Sequence, residues 1–334
     1  MKDKLKDKLR PLYRWFRNRY DLYVNFYLDL VAFKKYATIF KCKDLLQKET
    51  DLILNYHGLE KGMLHLDMKP RFAKSRIITL HKILKDQLIV NNADRSQIKV
   101  GYQLMCKYYE IHVSQKIPIN DYFTTKQYGF YKEVLGENYN VNFEGTYNFS
   151  KEAFYGNIED LNFYDFANSR KSIRNFTGAF VDLGRVKKAV ELANTSPSVC
   201  NRQATNVYLI EDENKVNELI NIQGGFKGFE KDVRQILVVT NNRKFYYTIG
   251  ERNQFYIDGG IYLMNLLYSL HFNKIACCPA NWGKCYKDEN RALELLGISR
   301  SEKIMCLIVV GEAKESFKTT LSLRRPIKEN FKVI

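Results

Sequence analysis

Basic and hydroxyl side chains alternate over one short segment in the second half of the chain. Arg170, Ser172 and Arg174 lie two residues apart, with Lys171 between the first two. A guanidinium presents its donors as a planar fork that suits phosphate oxygens, and a hydroxyl adds a further donor. The segment therefore predicts a phosphate site. A solvated basic helix face is the other interpretation.

A second segment offers the groups that a flat polar ring needs. It is the turn Ser-Pro-Ser-Val-Cys-Asn-Arg-Gln, which contains Pro197, Ser198, Asn201 and Gln203. An amide both donates and accepts, which suits the alternating donors and acceptors on the edge of a pyrimidine ring. Taken alone, the segment is also consistent with a plain turn before a strand.

The order of such segments along the chain resembles the nitroreductase-like flavoprotein family. An Arg-x-Ser-x-Arg opening is followed by an amphipathic helix, the Pro-Ser-x-x-Asn-x-Gln turn, a strand-rich run and a late arginine pair, Arg324 and Arg325. The resemblance covers about Phe163 to Pro326. It implies an α+β fold that binds flavin mononucleotide (FMN). It also implies a homodimer in which residues from both chains surround the flavin at the subunit interface.

The resemblance implies a role for each segment. Arg170 and Ser172 would hold the phosphate, Arg174 would lie near the pyrimidine edge, and one arginine of the late pair would close the phosphate site. A run after a short strand occupies the place where the family passes its backbone along the ring. Its residues are Ala280, Asn281, Trp282 and Gly283. A backbone amide there would hydrogen-bond flavin N5, although a core position for Trp282 is equally consistent with its residue type.

The reaction that the resemblance implies is hydride transfer from NAD(P)H through flavin N5 to an oxidised acceptor. The acceptor would be a nitroaromatic, a quinone or another conjugated compound. Because the flavin supplies the reactivity, no catalytic side chain is expected. A cation near the ring would favour the reduced form, and Arg174 is the candidate. A Rossmann Gly-x-Gly-x-x-Gly turn is not required, because in this family the nicotinamide stacks on the flavin.

Composition restricts the partners. The formal charge of +16 favours anionic partners, but no zinc-finger spacing, RNP-like strand or Gly-x-x-Gly clamp stands out, so no specific nucleic-acid binding is expected. Seven scattered cysteines are an odd number and fit reduced thiols in a cytoplasmic protein. The cluster Cys277, Cys278 and Cys285 has no histidine partner nearby, so no metal site is expected.

The N-terminal residues are basic and aromatic. Residues 1–19 hold eight basic and two acidic side chains, with Leu12, Tyr13, Trp15 and Phe16 among them. Such a segment is suited to the inner face of an anionic membrane. The other interpretation is a helix docked on its own domain. The most apolar early stretch, 20–33, contains two aspartates and is too short to span a bilayer.

Periodicity predicts two domains. Apolar residues recur at three- and four-residue steps in 73–90 and 97–113, which indicates a mostly helical N-terminal domain over residues 1–155. From 156 to 334, helical and strand patterns alternate and predict a mixed sheet covered by helices. The region 117–160 is interpreted as a connection, and the helix 254–272 as a buried dimer core.

A secondary site candidate lies in the first domain, at His57 and Glu60 of the segment His-Gly-Leu-Glu-Lys-Gly. These residues make a poor metal site alone, and a hydrogen-bonded structural pair is the preferred interpretation. The segment faintly resembles extensions on nitroreductase-like proteins associated with polysaccharide synthesis, which implies a polysaccharide-related pathway.

A competing function belongs to another class. In it the chain is a non-catalytic binding or scaffold protein, whose flavin fold is vestigial and whose basic N-terminus docks on a membrane or a partner. The matched phosphate and ring groups argue against this alternative, because a decayed site would not need to keep both.

Overall fold

The computed structural model describes residues 2–65 and 67–334, with side chains from Arg10 onward. The chain divides into two compact units. The helical unit comprises Met1–Tyr147 and Thr320–Ile334, and the sheet unit comprises Asn148–Thr319. The C-terminal segment thus packs with the first unit, whereas the sequence predicts it as part of the second domain. Hydrogen bonds such as Gln97 Nε2 to the Leu323 carbonyl (3.1 Å) hold it there.

Within the described residues, six helices form most of the helical unit. They are α1 (Lys2–Tyr36), α2 (Leu45–Met63), α3 (Lys74–Leu84), α4 (Gln87–Val90), α5 (Ser96–Ser114) and α6 (Thr125–Leu135). The core side of α2 carries Leu52, Tyr56, Leu59 and Met63, a helical spacing whose members are all buried. The core of this unit is built from such stripes on α2, α3, α5 and α6.

Two details of this unit differ from the sequence prediction. The helix expected over 73–90 is interrupted, because the Asp86 carboxylate accepts from the Leu88 N–H (3.0 Å) and begins α4. The region interpreted as a connection contains α6, which begins at a capping box formed by Thr124 and Gln127. The tyrosines and phenylalanines of this region hid its helical period in the sequence. In the structure the region forms α6, which packs against α5.

The sheet unit alternates strands and helices. Its elements are β1 (Thr146–Ser150), α7 (Lys151–Tyr155), α8 (Phe163–Ser169), α9 (Leu183–Ala193), β2 (Thr205–Ile210), α10 (Glu213–Gln223), β3 (Gln235–Asn242), α11 (Gln254–Phe272), β4 (Ala276–Asn281), α12 (Tyr286–Leu296), β5 (Glu302–Gly311) and β6 (Ser316–Thr320). Strands β1 and β6 pair with each other. A last short helix, α13 (Ile327–Asn330), lies in the C-terminal segment.

The central sheet has four strands in the order β2-β3-β5-β4. All the described pairings in it are antiparallel, which differs from the mixed sheet expected. An alternation of helices and strands in a sequence does not decide the direction in which the chain re-enters the sheet, and this explains the difference. Both faces are buried, since Ile236 and Val238 belong to one core cluster and Leu237 and Val239 to the other.

Helices cover each face of the sheet. Residues of α10 and α12 belong to the first cluster, and residues of α9 and α11 belong to the second. The predicted α+β class with a helical N-terminal region is confirmed. Within the described residues, no helix is both long enough and apolar enough to cross a bilayer.

Candidate functional site

The predicted phosphate segment lies along the edge of the central sheet. Helix α8 ends at Ser169, and the chain is extended at Arg170 (φ −60°, ψ 122°). The Ile173 N–H donates to the Cys277 carbonyl of the edge strand β4 (2.9 Å), and the Ile173 side chain is buried in the core. Because alternate residues of an extended segment project to opposite sides, Arg170, Ser172 and Arg174 share the side away from that core residue.

Two arginines of this segment hold buried donors without a partner. Arg174 is buried, and the Nη1 atoms of both Arg170 and Arg174 are buried and donate no hydrogen bond to any described acceptor. Other arginines of the same unit are paired, as Arg202 is with Glu251 (2.7 Å). A buried donor without a partner costs about 1–3 kcal/mol, and more when it is charged. The arrangement therefore fits an anionic group on this side of the segment.

The remaining basic residue of the segment has a structural contact. Lys171 Nζ donates to the Asn168 carbonyl (3.0 Å), one of the last carbonyl groups of α8. A cation is favourable at a helix C-terminus because of the helix dipole. Lys171 is thus engaged by the helix that precedes the predicted phosphate donors.

A buried histidine fixes the start of this segment, and sequence reasoning missed it. Ser169 Oγ lies 2.7 Å from His271 Nε2 near the end of α11. Burial, with the Arg170 and Lys171 cations as smaller causes, lowers the pKa of His271 to about 3. His271 is therefore neutral at physiological pH, and its position inside an apolar helix gave no sequence signal.

The ring-lining run continues from the same edge strand. Ala280 and Asn281 end β4, and the Asn281 carbonyl accepts from Gln223 Nε2 (3.0 Å). Trp282 lies in the core, and its buried indole Nε1 has no hydrogen-bond partner among the described residues. Gly283 has a φ of +35°, a conformation that favours glycine, and a Cβ there would lie 2.6 Å from Asn281 Nδ2. Strand β4 thus contacts the phosphate segment through the Cys277 carbonyl and continues directly into this run.

The predicted ring turn has an unusual backbone. Cys200, Asn201 and Gln203 adopt positive φ values of 49°, 53° and 51°. Non-glycine residues in this region are strained and persist where surrounding contacts impose the conformation. Here the Ser198 hydroxyl accepts from the Gln203 N–H (2.9 Å), and both Asn201 and Gln203 are exposed. Gln203 Nε2 also donates to the Asn201 carbonyl within the turn (3.3 Å).

A buried carboxylate holds this turn against α11. Asp258 accepts from the Val199 N–H (3.3 Å), from the Tyr246 hydroxyl (3.2 Å) and from Gln254 Nε2 (2.8 Å). Its anchoring role depends on contacts between distant segments, which a local pattern does not reveal.

Arg202 of the turn serves structure. Its guanidinium makes a two-pronged pair with Glu251, with N–O distances of 3.1 Å and 2.7 Å, and also donates to the Phe245 carbonyl (2.7 Å). The Arg202 hydrogen bond, with a backbone bond from Tyr247, lowers the pKa of Glu251 to about 2. The pair thus stays ionised at any ordinary pH and holds the shape of the turn.

Within one chain the turn does not enclose a ring. The cavity beside it measures about 200 Å³ and is lined by Asn194, Ser196, Pro197, Ser198, Gln203, Thr205, Asp258 and Tyr262. Ligand pockets usually measure about 300–1,000 Å³. The residues that line it belong neither to the segment 170–174 nor to the run 280–283.

The late arginine pair lies in the helical unit. Arg325 Nη1 contacts Glu49 Oε1 and Glu329 Oε2, each at 3.0 Å, whereas Arg324 is exposed. Glu49 is buried and also pairs with Arg95 (2.8 Å). Arg325 thus anchors the C-terminal segment. A phosphate role for either arginine stays a prediction.

A strand residue next to the phosphate segment was also missed. The Lys318 N–H of β6 approaches Asn175 Oδ1 at 3.4 Å, which places Lys318 beside the residue that follows Arg174. Lysines that alternate with apolar residues on a strand are common, so its type and spacing carried no distinct signal.

The secondary candidate forms a structural pair. His57 and Glu60 lie inside α2, and His57 Nδ1 is 2.9 Å from Glu60 Oε2. The other carboxylate oxygen, Oε1, accepts from the Ser322 N–H at 3.4 Å. No group of three or more metal-ligating side chains occurs in the part of the chain that the structure describes. The pair therefore helps to hold the C-terminal segment.

A larger cavity, of about 740 Å³, lies elsewhere in the helical unit. Lys85, Tyr122, Lys126 and Phe130 are among its lining residues, and none of the residues singled out from the sequence belongs to it. The size of a cavity alone therefore does not show where the predicted FMN site lies.

Comparison with protein-family profiles matches residues 167–227 to the family described as Nitroreductase family. This segment is similar to the nitroreductase family. It contains both the phosphate segment and the ring turn, and the resemblance predicted from the sequence is confirmed. No protein of curated function matches the chain.

Solved structures of the same kind resemble about half of the chain. They include a nitroreductase family protein from Streptococcus pneumoniae (18 % identity, 52 % of this chain and 100 % of that chain, TM-score 0.45). A candidate NADH oxidase from Clostridium acetobutylicum shows 20 % identity over 50 % of this chain and 98 % of that chain (TM-score 0.44). A candidate nitroreductase in complex with FMN from Desulfovibrio desulfuricans shows 19 % identity over 50 % of this chain and 94 % of that chain (TM-score 0.42).

Proposed function

We propose that the protein is an FMN-dependent oxidoreductase that passes a hydride from NAD(P)H to an oxidised, conjugated acceptor such as a nitroaromatic or a quinone. The observation that carries this proposal is the pair of buried, unpartnered Nη1 atoms of Arg170 and Arg174 on the edge of the sheet. The family match over the same segment supports it. A polysaccharide-related pathway is part of the proposal through the faint resemblance of the first domain.

The residues present fit an FMN phosphate and ring. Arg170 and Ser172 would hold the phosphate, because a fork of donors and a hydroxyl meet the oxygens of a dianion. Arg174 would stabilise negative charge near the ring, and the backbone from Ala280 to Gly283 would orient the ring edge. FMN, when bound, supplies the hydride chemistry. The protein orients the two reactants and excludes water.

The ring turn would come from a second copy of the chain. Asn201 and Gln203 are exposed, and the cavity that Gln203 helps to line is too small for a ring. A homodimer in which each turn reaches the partner's phosphate segment would complete the site.

Helix α11 supports such a dimer through a stripe that differs from the one expected. Tyr262 and Leu266, which suggested a dimer core, are buried in their own unit. Ile257, Ile261 and Met264 are exposed at helical spacing. A Cβ on Gly260, within the same stripe, would meet no atom within 4 Å. The stripe is therefore an apolar face on which a second copy can approach closely.

Ile261→Glu is expected to convert the dimer to a monomer and to weaken FMN binding, because a charge would be buried against apolar surface and the partner's ring turn would be lost. Sedimentation equilibrium and an FMN titration measure the two effects. Tyr286→Glu, a change at another exposed residue of the sheet unit, is the matched control. A monomeric Ile261→Glu protein with unchanged FMN affinity would contradict the shared site.

The proposed function itself is tested on the purified protein. We expect bound FMN to be released on denaturation, and the flavin absorbance of the holoprotein to bleach on anaerobic addition of NADH or NADPH. A colourless protein that takes up no added FMN would leave the binding or scaffold alternative.

A further inference from the structure

Helix α1 carries large apolar side chains that its own unit leaves uncovered. Trp15 is 49 % exposed, Phe16 is 60 % exposed and Tyr23 is 74 % exposed. From Arg10 to Tyr36, every described side chain is exposed or only partly buried. The interpretation of this helix as docked on its own domain is therefore wrong. An exposed apolar surface of this extent indicates an interaction site.

The apolar residues of α1 fall on one side of the helix. At about 100° per residue, one broad arc contains most of the aromatic and aliphatic side chains. Its members are Leu12, Tyr13, Trp15, Phe16, Tyr20, Leu22, Tyr23, Val24, Phe26, Tyr27, Leu30, Val31 and Phe33. The opposite arc holds Arg10, Arg14, Arg17, Asn25 and Lys35, and it also contains Leu28 and Asp21, which pairs with Arg17 at 3.5 Å. The helix is amphipathic, with cations along its polar side.

Cations also lie within the apolar arc, at Arg19 and Lys34. The Arg19 guanidinium packs over the Trp15 ring at 4.0 Å. Long basic side chains can lay their apolar stems on such a surface while the charged ends reach toward polar headgroups. Tyrosine and tryptophan likewise combine an apolar body with a polar tip, and they are enriched at the membrane–water boundary.

Two occupants could cover this face, a second copy of α1 or an anionic lipid surface, and charge decides between them. Helix α1 holds ten basic and four acidic residues. A second α1 would bring the same positive excess to a shared interface, and like charges oppose such pairing. An anionic lipid surface provides the complementary charge, together with an apolar layer just beneath it.

We propose that α1 docks the protein on an anionic lipid surface. The helix lies in the plane of the interface with its aromatic arc inserted about 5–10 Å and its arginines among the headgroups. This inference does not depend on FMN binding or on the dimer stripe of α11.

The test uses the full chain and vesicles of phosphatidylcholine with about 30 % phosphatidylserine, compared with phosphatidylcholine alone. We expect the protein to sediment with the anionic vesicles. Arg14→Glu with Arg17→Glu should weaken that binding at least about tenfold, because each cation near the surface contributes attraction. Lys187→Glu with Lys188→Glu makes the same charge change on an exposed part of α9 and should bind as the wild type.

A second pair of variants separates the apolar contribution from charge. Phe16→Ala with Tyr23→Ala keeps the net charge and should also weaken binding at least about tenfold. The two tryptophans provide a local probe, since Trp15 is exposed and Trp282 is buried. In a Trp282→Phe protein the emission of Trp15 should shift to the blue on anionic vesicles. In a Trp15→Phe protein the emission should not move.

Three results would overturn the proposal. In the first, the wild type fails to sediment with anionic vesicles. In the second, it binds neutral vesicles equally well, and the Arg14→Glu and Arg17→Glu changes leave that binding unchanged. In the third, the wild type binds no vesicles, and the Phe16→Ala with Tyr23→Ala variant has half the mass of the wild type in sedimentation equilibrium. The occupant of the face would then be a second copy of the chain.

Discussion

Replacing Arg170 by glutamate should abolish FMN retention by the purified protein. Arg170 begins the segment on the edge of β4, and its buried Nη1 has no partner in the described chain. Each charge-assisted hydrogen bond to a phosphate contributes roughly 1.5–3 kcal/mol. Reversal removes these bonds and adds repulsion, so the Kd for FMN should rise at least about a hundredfold.

The measurement is a titration of the apoprotein with FMN, in which the quenching of flavin fluorescence reports binding. Arg234→Glu is the matched control, because Arg234 is a partly exposed arginine of the same unit that pairs with Glu213 at 3.4 Å. Arg170→Lys should lie between the two, since it keeps the charge but loses the planar fork. Near-ultraviolet circular dichroism establishes that each variant is folded. Unchanged FMN affinity in a folded Arg170→Glu protein would remove the phosphate assignment.

Acid should destabilise the sheet unit through His271 before most carboxylates are protonated. Burial lowers the pKa of His271 to about 3, whereas the ordinary value for histidine is 6.5. Below pH 6.5 the unfolded chain therefore binds a proton that the folded chain does not. The contribution of this histidine is fully present above pH 6.5 and is lost as the pH falls toward about 3. Between pH 6.5 and 4.5 the loss is about 2–3 kcal/mol.

His271→Gln should flatten this dependence. Glutamine can still contact Ser169 Oγ, but it has no proton to gain, so the variant should lose less stability than the wild type between pH 7 and 4.5. Urea unfolding at a series of pH values measures the difference. His57→Gln is the control, because the His57 side chain is 39 % exposed and lacks the burial that acts on His271. Parallel curves for wild type and His271→Gln would show that His271 does not carry the effect.

Neither prediction could be made in full from the sequence, because each depends on contacts that form only in the folded chain. The Arg170, Ser172 and Arg174 spacing predicted a phosphate site, but the lack of a described partner for two guanidinium atoms is a property of the folded chain. His271 had no signal at all, because a histidine inside an apolar helix is ordinary until its neighbours are known.

Several features of this protein were determined by the sequence alone. The apolar period of 97–113 predicted a helix, and the alternating patterns over 156–334 predicted a sheet covered by helices, because a local pattern records which faces are buried. The order of the arginine, serine and amide segments identified the family resemblance before any contact was known. The basic aromatic character of α1 was equally visible.

Only the tertiary structure decided how these segments meet. The hydrogen bond from Ile173 to Cys277 joins the phosphate segment to the edge strand, and the Asp258 carboxylate anchors the ring turn. The buried Glu49 draws Arg325 and the C-terminal segment into the helical unit. In each case a buried polar group must find a partner far away in the chain. Local periodicity contains no information about that partner, because the pairing is set by which donors and acceptors folding removes from water.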